Sequence, residues 1–194
     1  IQKQNTAAIM EADLEVFSSN GFRGSTLDQI ARAAGISKPN LLYYFNSKQA
    51  IHVALLSELL DAWLYPLRDM NPNGDAKDEL MNYVRRKLDL SRNFPRESRL
   101  FANEIVQGAP RIDTFLKGDL KNLVDEKAKV ISGWMDKGLI ARFDPHHLIF
   151  SIWALTQHYA DFEAQTSLIM GKDSDKIYDD ASIFLEAIFE KILA

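Results

Sequence analysis

The chain has 194 residues, 46% hydrophobic and 26% charged, with a net charge of −4, a pI of about 5.6 and no cysteine. That apolar content over that length builds a real core, in one large domain or two small ones, and excludes a disordered chain. The lack of cysteine excludes disulfides and thiolate metal sites and fits a reducing compartment. With no run of about 18 apolar residues and no basic start followed by an apolar segment, the sequence predicts neither a membrane span nor export, but a cytoplasmic protein. The chain starts at Ile1 rather than at a methionine, which leaves room for a preceding segment, often basic in DNA-binding proteins.

From about Gln4 to Asn20, the residues Ile9, Leu14, Val16 and Phe17, with alanines between them, form one helical stripe that Asn20-Gly21 ends. Phe22, in the link that follows, is expected to plug a small core. Next come Leu27, Ile30, Ala31 and Ala34 at i, i+3, i+4 and i+7, one face of a short helix that Thr26 can cap. Gly35 stops it by taking the left-handed conformation at little cost. Ser37 offers a second cap, and Pro39 suits a first turn, where its missing N–H is not needed. Helix, glycine turn and second short helix make a helix-turn-helix.

The second helix carries Lys38, Asn40, Tyr43 and Tyr44, which can donate to phosphates or base edges, while Leu41, Leu42 and Phe45 are expected to seat it. In that placement Thr26, Ser37, Tyr43, Tyr44 and Lys48 hold phosphates, and Lys38, Pro39 and Asn40 face bases. Asn suits adenine and Lys suits guanine. Charge agrees with this division: residues 1–50 carry a net +1 and the remainder −5, a small basic head on an acidic body.

Phe17, Gly21, Thr26, Ile30, Ala31, Ala34, Gly35, Ser37, Leu41, Tyr44, Phe45 and Lys48 fall where the TetR family of bacterial repressors has its DNA-binding signature, so the first quarter of the chain resembles that family. The resemblance implies a double-stranded, palindromic operator as partner. Two departures stand out. Pro39 occupies a position where the family often has Gly, and Leu42 one where it often has Tyr, which removes a phosphate contact.

The expected division is a helix-turn-helix head over 1–47 and a helical ligand-binding and dimerisation body over 48–194. Gln49 to Tyr65 runs without Gly or Pro as far as Pro66 and reads as one long helix, a lever joining head to body. Asn71-Pro72-Asn73-Gly74 is a loop. Helices are then expected from Asp75 to just before Pro95, with Leu80, Tyr83, Val84, Leu88 and Leu90 in helical spacing, from Arg96 to Gln107, from Arg111 to Asp136, from Pro145 through Phe162, and from about Ser174 to Leu193. Period-2 alternation is absent, so the fold is all-α.

The last two long helices are apolar on more than one face. Leu148, Ile149, Phe150, Ile152 and Leu155 are followed by Ile177, Ile183, Phe184, Ala187, Ile188, Ile192 and Leu193. One face can pack on the body and the other predicts a homodimer through a four-helix interface. Two recognition helices about 34–36 Å apart would then read a palindrome.

Trp153, Gln157 and Asp161 recur at i, i+4 and i+8, placing an indole, an amide and a carboxylate on one stripe, and Trp63 supplies a second indole. Tryptophans in helices commonly pack in cores, yet a buried Gln among aromatics needs a partner, since an unpaired amide costs about 1–3 kcal/mol. A flat ring stacked on the indoles is the alternative to core packing. Beyond the head, the stretches 40–48, 59–67, 97–110, 118–134 and 144–162 resemble the pyrimidine-utilisation branch of the family. That resemblance implies uracil or thymine as effector, with Trp63 and Trp153 flanking the ring, Gln157 pairing with its imide edge and Glu104 and His158 behind them. A different flat heterocycle stays open.

Catalysis is not expected. His146, His147 and His158 lack metal-site spacing, because adjacent helical residues point about 100° apart, and there is no nucleophile elbow, P-loop or HExxH. No cofactor is implied. The competing class is an all-α interaction module that dimerises without touching DNA.

Overall fold

The computed structural model describes the backbone of residues 2–194, with side chains from Thr6 onward; Lys3, counted in the charge of the head, lies outside the described side chains. In chain order the helices are α1 (Gln2–Gly24), α2 (Leu27–Ala33), α3 (Lys38–Tyr44), α4 (Lys48–Arg68), α5 (Ala76–Asn93), α6 (Pro95–Val106), α7 (Asp113–Phe115), α8 (Lys121–Asp136), α9 (Pro145–Asp161), α10 (Glu163–Met170) and α11 (Ser174–Leu193). The fold is all-α, without a strand among the described residues.

The chain forms two compact units. The first comprises residues 1–62 and 96–114, the second 63–95 and 115–194, so α4 belongs to the first through Ala62 and to the second from Trp63. In the first, Ile9, Leu14, Val16 and Phe17 of α1 are buried, as are Ile30 and Ala31 of α2, Leu41 of α3 and Ile51, Leu55 and Leu56 of α4. The stripe also contains Asp13, fully buried, which its position between apolar neighbours does not announce.

In the second unit α5 packs on α9 and α11, and α8 on α9, around Leu80, Val84, Ile131, Trp134, Ile149, Ile152, Leu185 and Phe189. Side-chain caps start α5, α9 and α11 where the sequence places them. Asp75 accepts from Lys77 N and Asp78 N, Asp144 from His146 N and His147 N, and Asp173 from Lys176 N.

Three local expectations are corrected. Pro66 does not end α4 but lies inside it. Its missing N–H forfeits one bond, and a single further turn remains, where Asp69 N still donates to Tyr65 O at 2.9 Å while Leu64 and Leu67 are buried on either side. The helix expected over Arg111–Asp136 is three pieces: α7, a π-helical turn at Leu116–Leu120 with Gly118 at its centre, and α8. The helix expected to run through Phe162 ends at Asp161, one residue earlier, where Phe162 caps it. Phe162 leaves helical geometry (φ −118°, ψ 31°), its carbonyl accepts from Gln165 N and Thr166 N, and α10 follows until Gly171 at φ +61°.

The outward apolar faces are present. Phe150 of α9, Leu168, Ile169 and Met170 of α10, and Ile183, Phe184 and Ile192 of α11 are all exposed. α4 is the one helix, among the described residues, long and apolar enough to cross a membrane, and half of that stretch is buried inside the fold.

Candidate functional site

The helix-turn-helix is held by its own caps. Thr26 Oγ1 accepts from Gln29 N at 3.2 Å while Gln29 Oε1 accepts from Thr26 N at 2.8 Å, a reciprocal box that satisfies two helix-terminal donors. Gly35 sits at φ +67°, which an L side chain rarely adopts, and Ile36 N closes the turn on Ala31 O at 3.0 Å. Ser37 Oγ then accepts from Asn40 N at 3.3 Å, and Pro39 occupies the first turn of α3.

α3 buries Leu41 and leaves Ser37, Lys38, Pro39, Asn40 and Tyr43 exposed, with Tyr44 half-buried and its ring edge-on to Tyr43 at 5.4 Å. Leu42, expected to help seat the helix, is exposed, because its direction differs from that of Leu41 by about 100°. Lys38 is paired in the free protein with Asp28, Nζ to Oδ2 at 2.9 Å.

Lys48 is placed differently from the α3 residues. Its ammonium donates to Phe22 O and Ser25 O, both at 2.7 Å, and lies 4.4 Å from the Phe22 ring centroid. An ammonium has three N–H donors, so this clamp on the link between α1 and α2 uses two of them.

Glu104 belongs to the first unit, whereas Trp63, Trp153, Gln157 and His158 belong to the second. Its carboxylate accepts from Arg111 N at 2.9 Å and Arg111 Nη1 at 2.7 Å, and meets His52 Nε2 at 3.4 Å. Arg111 in turn lies over Phe22, 3.6 Å from the ring centroid. Burial drives the His52 pKa down to about 4 despite the neighbouring carboxylate, so the ring is neutral near pH 7. The turn that carries Arg111 includes Ala109 at φ +53°, a strained position for a side chain.

In the second unit, two residues that the sequence reading did not single out organise the tryptophans. Tyr83 and Lys87 stand one turn apart on α5, on its buried face. Trp153 Nε1 donates to Tyr83 Oη at 2.6 Å, and the Lys87 ammonium lies 4.7 Å from the Trp63 ring centroid. Both indoles are thereby gathered on one helix face. Lys87 is 1% exposed; burial lowers its pKa to about 7, against the pull of Asp161 in the other direction. Burial likewise pushes the Tyr83 phenol up.

Gln157 is half-buried, while His158 is exposed and stacks on Phe162 at 5.0 Å. The signal for Lys87 was in the sequence. Leu80, Tyr83, Val84, Lys87, Leu88 and Ser91 form one stripe at helical spacing, and a lysine within such a stripe has to be buried.

Comparison with known proteins settles the family. Residues 9–55 match the bacterial regulatory proteins of the tetR family, and residues 56–193 match the YcdC-like protein C-terminal region. The HTH-type transcriptional regulator RutR of Escherichia coli (strain K12) is 49% identical over 164 residues, covering 84% of this chain and 77% of that protein. Among solved structures, a TetR transcription regulator from Haloarcula marismortui superposes with a TM-score of 0.68 at 20% identity, over 99% of this chain and 100% of that one. AibR in complex with isovaleryl coenzyme A and operator DNA does so with a TM-score of 0.67 at 20% identity, over 80% of this chain and 85% of that one. The chain belongs to the TetR family of transcriptional regulators, with a helix-turn-helix head and a YcdC-like body, and is not an enzyme.

Proposed function

We propose that this regulator is a repressor that binds a palindromic operator as a homodimer and loses affinity when a pyrimidine such as uracil or thymine stacks between Trp63 and Trp153. The observation that carries the effector half is the convergence of both indoles on Tyr83 and Lys87 of α5. The resemblance to the pyrimidine-utilisation branch supports the identity of the ring, with Gln157 pairing with its imide edge. On this reading Glu104 and His158 stand behind the residues that touch the ring.

For the DNA half, the exposed edge of α3 offers Lys38, Pro39 and Asn40 to bases, with Thr26, Ser37, Tyr43, Tyr44 and the spare donor of Lys48 on phosphates. The open apolar faces of α9 and α11 favour a second copy, whose two-fold axis would match the symmetry of a palindrome. A protein working on operator DNA functions in the bacterial cytoplasm.

Because α4 contributes to both units, a ligand that prefers one setting of its Trp63 end biases the other. A coupling of about 1–3 kcal/mol gives a 5- to 150-fold loss of operator affinity. A thermal-shift screen of nucleobases tests the effector: uracil or thymine raises Tm and adenine does not. A rise with purines and none with pyrimidines would contradict the proposal.

A further inference from the structure

Three buried or half-buried indoles can be compared within the second unit. Trp134 Nε1 donates to Pro72 O at 3.2 Å, and Trp153 Nε1 donates to Tyr83 Oη. Trp63 is 7% exposed, and its Nε1 is buried with no hydrogen-bond partner in the protein. An indole N–H can only donate, so no rotation of a hydroxyl or flip of an amide within Trp63 itself relieves it. Buried donors are rarely left so, since each costs about 1–3 kcal/mol.

The Lys87 ammonium lies beside that same indole, and an ammonium also donates without accepting. Lys87 is almost fully enclosed, a state that lysine seldom adopts without a partner. Asp161 supplies charge to Lys87, while the Trp63 N–H has nothing to receive it. The enclosed wall beside α5 is therefore rich in donors and short of an acceptor.

We propose that Trp63 and Lys87 form a donor pair that selects effectors bearing a ring carbonyl oxygen, the Trp63 Nε1–H donating to that oxygen and Lys87 reinforcing it. This rests on the body being the effector site, as proposed above. Its chemistry is that of a flat lactam or imide. A ring of the same shape without a carbonyl gains stacking but leaves the indole orphaned, and a site built for a hydrogen bond discriminates strongly against such an analogue.

The test is calorimetric titration of the full chain with uracil, 4-pyrimidinone, 2-pyrimidinone and unsubstituted pyrimidine, repeated on Trp63→Phe and Lys87→Met. The wild type is expected to bind uracil at least tenfold more tightly than pyrimidine. Trp63→Phe keeps a stacking ring and loses the N–H, so it should weaken uracil about tenfold and leave pyrimidine unchanged. Lys87→Met should act in the same direction on the carbonyl-bearing rings alone.

Equal weakening of uracil and pyrimidine in Trp63→Phe would reduce the residue to packing and overturn the proposal. Binding of another lactam ring, sensitive to Trp63→Phe, together with no binding of uracil or thymine, would overturn the pyrimidine reading and uphold the donor pair. If none of the rings binds, the Trp63 and Lys87 pair selects no carbonyl-bearing ring and the proposal is overturned.

Discussion

The two units treat a buried polar cluster in opposite ways. In the first, the Glu104 carboxylate is enclosed and answered: Arg111 donates to it twice, His52 faces it through Nε2 while its Nδ1 has no partner, and Arg111 lies on Phe22 in the link that leads to the helix-turn-helix. In the second, Trp63 and Lys87 are as deeply enclosed, and the indole N–H has no acceptor. A carboxylate held by two donors fixes the turn that carries them, while an indole N–H without an acceptor is a cost that binding can remove.

Glu104 carries the largest expected effect. Glu104→Ala leaves Arg111 enclosed beside an aromatic with no counter-charge, and should cost about 3–5 kcal/mol in urea denaturation. A loss below about 1 kcal/mol would mean that the first cluster is no more committed than the second. Lys48→Ala removes a charged donor from two carbonyls and should cost about 1.5–3 kcal/mol. If its third N–H also meets a phosphate, the slope of log affinity against log salt falls by about one unit; an unchanged slope would confine Lys48 to the clamp.

The first unit also has unanswered atoms, His52 Nδ1 and both carboxylate oxygens of Asp13, and burial raises the Asp13 pKa to about 8. The folded state therefore holds a proton that the unfolded chain releases near pH 4, so this residue makes stability fall as pH rises from about 4 to 8. Asp13→Leu should flatten that dependence and raise stability at pH 8 by about 1–3 kcal/mol, read from denaturation at pH 5 and pH 8. The same slope in the variant would place the titrating group elsewhere.

Smaller effects sharpen the view of the DNA edge. Ser37→Ala should cost about 1 kcal/mol through the lost cap of α3. Asp28→Asn breaks an exposed pair worth about 0–1 kcal/mol, so it should leave Tm nearly unchanged. By freeing Lys38 it should tighten DNA binding in an anisotropy titration, and weaker binding would show that the pair positions Lys38 rather than competing with the duplex.

The head was legible because local chemistry dictates it. A capping Thr or Ser, a glycine in the left-handed region and a proline in a first turn act within a few residues of themselves, and Thr26, Gly35, Ser37 and Pro39 do so here. The body was legible as helices and as two tryptophans, but its decisive polar residues were not. Lys87 reads as one more surface charge among Arg85, Arg86 and Asp89 until its place on the stripe of Leu80 and Val84 is weighed, and Asp13 is hidden in the same way on α1. Glu104 finds its partner in Arg111 across a turn with positive φ at Gly108 and Ala109, a conformation that spacing alone does not reveal. The π-helical turn and α10 were missed because each depends on where one residue leaves helical geometry.

Control of DNA binding by an effector requires communication between the Trp63 end of α4 and the α3 edge. The direct measurement is the affinity of the protein for a duplex selected from a random pool, by fluorescence anisotropy, with and without saturating uracil. A 5- to 150-fold weakening by uracil is predicted; uracil that binds tightly by calorimetry and leaves the duplex affinity unchanged would contradict it.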